Sequence, residues 1–247
     1  MGEHIYLSPH LDDAVLSCGG QIAGQTRAGE RVTVVTAFAG DPPSPLSIFA
    51  GLLHERWGLG DDAPAARRAE DRAALALLGA VPLHWELPDC IYRTAPDGTP
   101  LYPDPAALWG PLQAADGSLA DGLARRIATL PETATLWAPL GAGGHVDHCL
   151  LRRAAEAAGR PLYCYEEYPY AETPQMVERA LGDGPWMPRL TFLDEEALAA
   201  KIAAAACYRS QISTFWADVD DMAARIRAYA LQVGEGRPAE RAWRVTL

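Results

Sequence analysis

The sequence predicts an α/β fold with a mostly parallel sheet flanked by helices, in a single domain spanning 1–247. Three observations carry this. Short apolar or β-branched runs alternate with stretches of helical period. The first such unit reads strand, helix, strand, and that crossover implies parallel strands with a right-handed connection. A chain of 247 residues with 49% hydrophobic content can bury one sizeable core, and no repeat or low-complexity segment divides it.

Each element follows in chain order. Residues 5–7 (IYL) read as a short buried strand and 14–27 as the first helix. Residues 31–38 (RVTVVTAF) are β-branched and apolar, a second buried strand. Pro42, Pro43, Pro45 and several glycines make 39–63 a long loop beyond that strand, in a position where loops wall binding sites. An early proline, Ala/Leu at helical spacing and a closing glycine predict a helix over 64–79. A third strand is expected over 83–87, and 88–93 leaves it at the same sheet edge. The Pro/Gly/Asp-rich stretch 95–117 reads as a surface insertion. A helix over 119–130, a fourth strand over 133–138, a helix over 149–159 and a fifth strand over 161–168 come next. Helices over 195–208 and 218–231 and a terminal strand over 242–246 complete the reading.

Composition removes several function classes. No apolar run approaches the ~20 residues of a membrane helix, and residues 1–4 lead into the first strand without a signal-like segment. A soluble, cytoplasmic protein with no membrane partner is expected. The net charge of -11 and the lack of a Lys/Arg cluster argue against nucleic acid as a partner. Five cysteines without paired spacing form neither a disulfide framework nor a zinc ribbon.

Two polar clusters sit on predicted strand-to-helix turns. Ser8-Pro9-His10-Leu11-Asp12-Asp13 follows the first strand, and Gly143-Gly144-His145-Val146-Asp147-His148 follows the fourth. In an open parallel sheet such turns lie at the carboxyl edge, where ligand sites form. A histidine and two carboxylates crowded on one turn are costly unless something compensates, and a divalent metal is the simplest compensation. Taken singly, each of these residues has an ordinary reading as a turn residue or helix cap. At two matching positions they read together as a site.

His10 and Asp13 can offer a nitrogen and an oxygen to one metal, and His148 completes a set with one position left for water. That set suits Zn2+ and also Fe2+. Asp12 adjoins the ligands and can take a proton from water as general base. His145 suits an oxyanion partner or a general acid, with Asp147 to fix its tautomer and raise its pKa. The chemistry expected is metal-assisted hydrolysis of an amide.

With these residues in place, the sequence resembles the LmbE-like (PIG-L) family of zinc-dependent N-deacetylases. The Pro-His-x-Asp-Asp motif is Pro9-His10-Leu11-Asp12-Asp13, and His-x-Asp-His is His145-Val146-Asp147-His148. Arg67-x-x-Glu70, Leu78-Gly79, Pro88-Asp89 and Tyr208-Arg209-Ser210-Gln211 extend the likeness over nearly the whole chain. The resemblance implies a Rossmann-like α/β fold and zinc on His10, Asp13 and His148. It further implies Asp12 as base, His145 as acid or oxyanion partner, Asp147 as its orienter, and Arg67 and Asp89 as sugar contacts. Two departures stand out. Ala14 stands where a glutamate is common, and Gly143 stands where some relatives carry a tyrosine that polarises the carbonyl. Tyr92 and Tyr168 are candidate replacements.

The expected function is removal of an N-acyl group, foremost acetyl, from a small-molecule amino sugar or sugar conjugate. The alternatives are an amidase acting on a larger acyl group of a thiol-sugar conjugate or natural-product intermediate, and a metal-binding module without catalysis. A dinucleotide-dependent oxidoreductase is disfavoured, since neither glycine group makes the fingerprint.

Overall fold

The computed structural model describes residues 2–60 and 62–245. The chain begins with β1 (Glu3–Ser8), α1 (Asp13–Arg27) and β2 (Arg31–Thr36), then α2 (Ile48–Arg56), α3 (Ala63–Leu77) and β3 (Val81–His84). It continues through α4 (Gly117–Ala128), β4 (Thr135–Pro139), α5 (Val146–Ala157), β5 (Leu162–Tyr165) and α6 (Pro174–Leu181). It closes with β6 (Trp186–Phe192), α7 (Glu195–Ala205), α8 (Arg209–Phe215), α9 (Val219–Val233) and β7 (Ala239–Val245). The strands form one sheet in the order β3-β2-β1-β4-β5-β7-β6. Strands β1 to β5 run parallel, and β7 pairs antiparallel with both β5 and β6.

Both faces of the sheet are covered, which is why β1 is buried continuously from His4 to Ser8 rather than alternating between buried and exposed. Ile5, Leu7 and Val35 pack with α4 and α5 on one face. Tyr6, Val32 and Val34 pack with α1 and α3 on the other. Leu7 is fully buried, and such a side chain contributes about 2 kcal/mol relative to exposure. Helix α1 also lies close against α7. A Cβ at Gly19 would stand 3.0 Å from Lys201 Cγ and 3.4 Å from Lys201 Cα, so glycine there eases the close approach of the two helices.

Several expected boundaries shift for physical reasons. The loop 39–63 contains α2, whose first turn is capped by Ser47 Oγ accepting from the Ala50 N–H. Its Phe49 and Ala50 pack on Cys90, Ile91 and Tyr92, a tertiary support that helical spacing alone does not reveal. Strand β3 starts at Val81 and includes Pro82, tolerated because β3 is an edge strand. Helix α5 begins at Val146, so Asp147 and His148 stand in its first turn. Strand β5 ends at Tyr165, because the next two residues turn their carboxylates to partners off the strand. Helices α6 and α8 and strand β6 were not expected from the sequence. The terminal strand runs over Ala239–Val245, and Thr246 of the expected strand lies outside the described residues.

Strands β1 and β4 are neighbours whose chains leave in opposite directions, to β2 on one side and β5 on the other. That is the topological switch point of the sheet, and a crevice opens at its carboxyl edge. Both polar clusters face it.

Candidate active site

The turn from β1 to α1 occupies only residues 9–12. Its tightness is recorded in Asp12, which adopts φ 145°, a region that L-residues rarely enter. Strain of this kind costs about 1–3 kcal/mol and concentrates at functional sites. The Asp12 carboxylate is buried, with Arg67 Nη2 3.9 Å away. Burial first, and then the neighbouring Asp13 carboxylate, push its pKa up to about 7.

Asp13 opens α1, where the helix N-terminus favours an anion. Its Oδ2 accepts from the His10 backbone N–H at 2.8 Å. The same oxygen lies 3.4 Å from His10 Nδ1 and 3.3 Å from His148 Nε2. Burial opposes its charge, yet His148 and His10 hold the Asp13 carboxyl well below the usual range.

The far nitrogen of each imidazole meets a buried carboxylate. His10 Nε2 is 2.9 Å from Asp147 Oδ2, and His148 Nδ1 is 3.2 Å from Glu167 Oε1. Glu167 is fully buried and also accepts the backbone N–H groups of Gly141 and Ala142. Asp147 accepts the Cys90 N–H at 2.9 Å, and Arg93 Nη2 pairs with it at 2.6 Å. Burial works against imidazolium at His10 and His148, but the surrounding carboxylates dominate. They raise His10 well above its usual range and His148 to about 9. The carboxylates thus favour positive charge at this spot.

Asp147 corrects one expectation. Its carboxylate serves His10, not His145; only its backbone N–H reaches His145, donating to Nδ1 at 3.3 Å. His145 is the residue that precedes and caps α5, and its neutral ring carries the proton on Nε2 when Nδ1 accepts. Burial, with His10 and His148 alongside, pulls its pKa well below the usual value rather than raising it. Its ring centroid stands 5.1 Å from those of both His10 and His148.

The expected sugar contacts also converge here. Asp89 Oδ2 lies 3.6 Å from His10 Nε2, while Asp89 Oδ1 caps the turn at 90–92. Arg67 Nη2 donates to Leu11 O at 3.3 Å, its guanidinium lies over the Trp57 ring, and its buried Nε has no hydrogen-bond partner among the described residues.

The two tyrosines considered as replacements at the Gly143 position are turned to other partners. The Tyr92 hydroxyl pairs with His54 Nε2 at 2.6 Å, and Tyr168 packs with Trp216 and Tyr229 in the helical layer. Tyr170 occupies the space instead. A Cβ on Gly143 would stand 3.0 Å from Tyr170 Cγ, and the Tyr170 ring meets His148 edge-on at 5.7 Å. Glu167, Arg93, Trp109 and Tyr170 are the site residues that sequence reasoning missed. Glu166-Glu167 closing the fifth strand at the same edge is the one signal that pointed there; the other three sit in irregular segments.

The donor set fits a metal ion. His10, His145 and His148 each offer a ring nitrogen within 4.8 Å of the others, and the Asp13 carboxylate oxygen lies between His10 and His148. A carboxylate behind each ligating imidazole is the usual way a protein fixes ring orientation and basicity at a metal. His10 and His148 have one; the known partner of His145 Nδ1 is a backbone N–H.

Comparisons with known proteins give the family and its relatives. The PIG-L family, described as GlcNAc-PI de-N-acetylase, matches residues 5–159. A 2'-N-acetylparomamine deacetylase of Niallia circulans is 30% identical over 187 residues. That alignment takes in 67% of this chain and 66% of the relative, just under two thirds of the curated protein. The zinc-inhibited form of teicoplanin deacetylase Orf2 superposes with TM-score 0.86 at 28% identity, covering 99% of this chain and 98% of that one. The A40926 pseudoaglycone deacetylase Dbv21 superposes with TM-score 0.78 at 33% identity, covering 99% and 97%. With the motifs, the switch-point site and these matches in hand, the chain belongs to the PIG-L family of de-N-acetylases.

Proposed function

We propose that the protein is a zinc-dependent hydrolase that removes an N-acyl group, foremost acetyl, from an amino sugar or sugar conjugate, with residues 1–247 forming one catalytic domain. The observation that carries the reading is the pair of imidazoles that share the Asp13 carboxylate, each backed by a buried carboxylate. Its support includes relatives named for deacetylating 2'-N-acetylparomamine, teicoplanin and the A40926 pseudoaglycone.

His10, Asp13 and His148 would hold the metal. When bound, it supplies Lewis acidity toward a carbonyl oxygen and acidifies water. Asp12, buried and with its pKa already near neutrality, takes the proton of the attacking water. His145 presents its Nε2 proton to the developing oxyanion and then to the leaving nitrogen. Asp147 holds His10 in place, and Arg93 fixes Asp147. Arg67 and Asp89, both buried beside the histidine and carboxylate cluster, contact the sugar. The site asks for a small-molecule substrate. Among the described residues, no helix is long and apolar enough to cross a membrane.

The test is amine release from N-acetyl, N-butyryl and N-octanoyl amino sugars by the zinc-loaded protein, with and without chelator. Chelator-sensitive release is expected, and the chain-length profile separates acetyl from larger acyl groups. Release that persists after the metal has been stripped sinks the metal assignment.

A further inference from the structure

Next to the turn that carries His145 lies a cavity of about 460 Å³, lined by Gly141, Gly143 and Gly144 of that turn. Its wall begins at Trp109, whose ring stands edge-on to His145 at 5.2 Å and to Tyr170 at 5.4 Å. Trp109 is 46% exposed although it adjoins buried catalytic groups. An aromatic ring left open in such a place is a platform for a flat or apolar ligand face.

The floor is the glycine backbone at 143–144, and a Cβ at Gly144 would meet nothing within 4 Å, so the space there is open. Three arginines, Arg152, Arg153 and Arg179, also line the cavity. Arg152 is committed to the fold. It donates to Leu140 O at 2.5 Å and Ala180 O at 2.6 Å, and it pairs with Glu156 at 3.0 Å. Arg153 and Arg179 are exposed, and their side chains have no hydrogen bond, ion pair or ring partner among the described residues. Glu156 is the one carboxylate in the lining, so the cavity carries an excess of positive charge in a chain of net charge -11.

We infer that this cavity is a subsite for an anionic group of the substrate, with Trp109 under the adjoining ring and Arg153 and Arg179 as the anion's partners. The inference rests on the proposed N-deacylase reading and narrows it: the preferred substrate is an acidic sugar conjugate, bearing a carboxylate or a phosphate. Guanidinium binds both through paired N–H groups.

Three sugars serve as probes: N-acetylglucosamine, its 1-phosphate, and N-acetylmuramic acid. The two charged sugars separate phosphate from carboxylate. Each is assayed for amine release by the zinc-loaded enzyme, and each is titrated by calorimetry into the zinc-loaded Asp12→Asn variant. The expected result is at least a ~10-fold advantage for one charged sugar over the neutral one, in kcat/KM and in Kd. That advantage should shrink with added salt, because Arg153 and Arg179 are exposed. In the Arg153→Glu/Arg179→Glu double variant the ratio of charged to neutral should fall to one or below.

Equal handling of all three sugars overturns the subsite while leaving the hydrolase reading in place. An advantage that survives in the double variant does the same. If no sugar is turned over, the hydrolase reading fails on these substrates, and the calorimetric ratio still decides the subsite.

Discussion

The turn after β1 and the turn after β4 stand side by side at the switch point, yet they are built differently. The first is short, has no glycine, and forces Asp12 to φ 145°. The second is longer and bends through Gly141, Gly143 and Gly144, all at positive φ that glycine accepts freely. Its course is fixed from outside, by Glu167 gripping the N–H groups of Gly141 and Ala142. The first turn crowds its polar side chains around one strained backbone position, Asp12. The second keeps open space beside His145 and delegates its rigidity to a carboxylate on another strand end.

The largest expected effect comes from the groups the turns share. Asp13→Ala or His148→Ala should remove bound metal and lower turnover by at least ~100-fold, measured by metal analysis and amine release. Next is Glu167→Gln, which loosens the second turn and the His148 ring together. A carboxylate behind a ligating histidine is typically worth about 10–100-fold in metal affinity, so a chelator competition should show a shift of that size. Full retention of affinity would mean that Glu167 serves the glycine loop alone.

Smaller effects separate the turns by backbone strain. Gly143→Ala should lose about 1–2 kcal/mol of stability in urea unfolding, from positive φ and from the 3.0 Å approach of Tyr170. The same preference for glycine over alanine is expected in the first turn, at a residue that is not glycine. Asp12→Gly should be more stable than Asp12→Ala by about 1 kcal/mol, the strain relieved less the larger unfolded-state entropy of glycine. Equal stability of those two variants would show that the turn bears no strain at Asp12.

Much of this was readable in the chain. The parallel strands, their order of appearance and both clusters followed from apolar runs and from polar residues placed just after them. The crevice residues His10, Asp12, Asp13, His145 and His148 come together because β1 and β4 are adjacent, which strand-by-strand reading could only presume. What escaped reading depends on tertiary partners. Helix α2 is held by Phe49 against Ile91 and Tyr92, not by a clean helical stripe. The carboxylate of Asp147 turns to His10 because Arg93 and the Cys90 N–H draw it there, and all three come from segments distant in sequence. Trp109 and Tyr170 lie in irregular segments where no period marks them.

The most direct test of the account is the zinc content and the amine-release rate of Asp12→Asn, measured together on one preparation. The account predicts wild-type zinc content and a rate lower by at least ~100-fold, the usual scale for a general base. Wild-type turnover in that variant, or loss of zinc along with activity, would contradict the division between the metal-holding His10, Asp13 and His148 and the proton-taking Asp12.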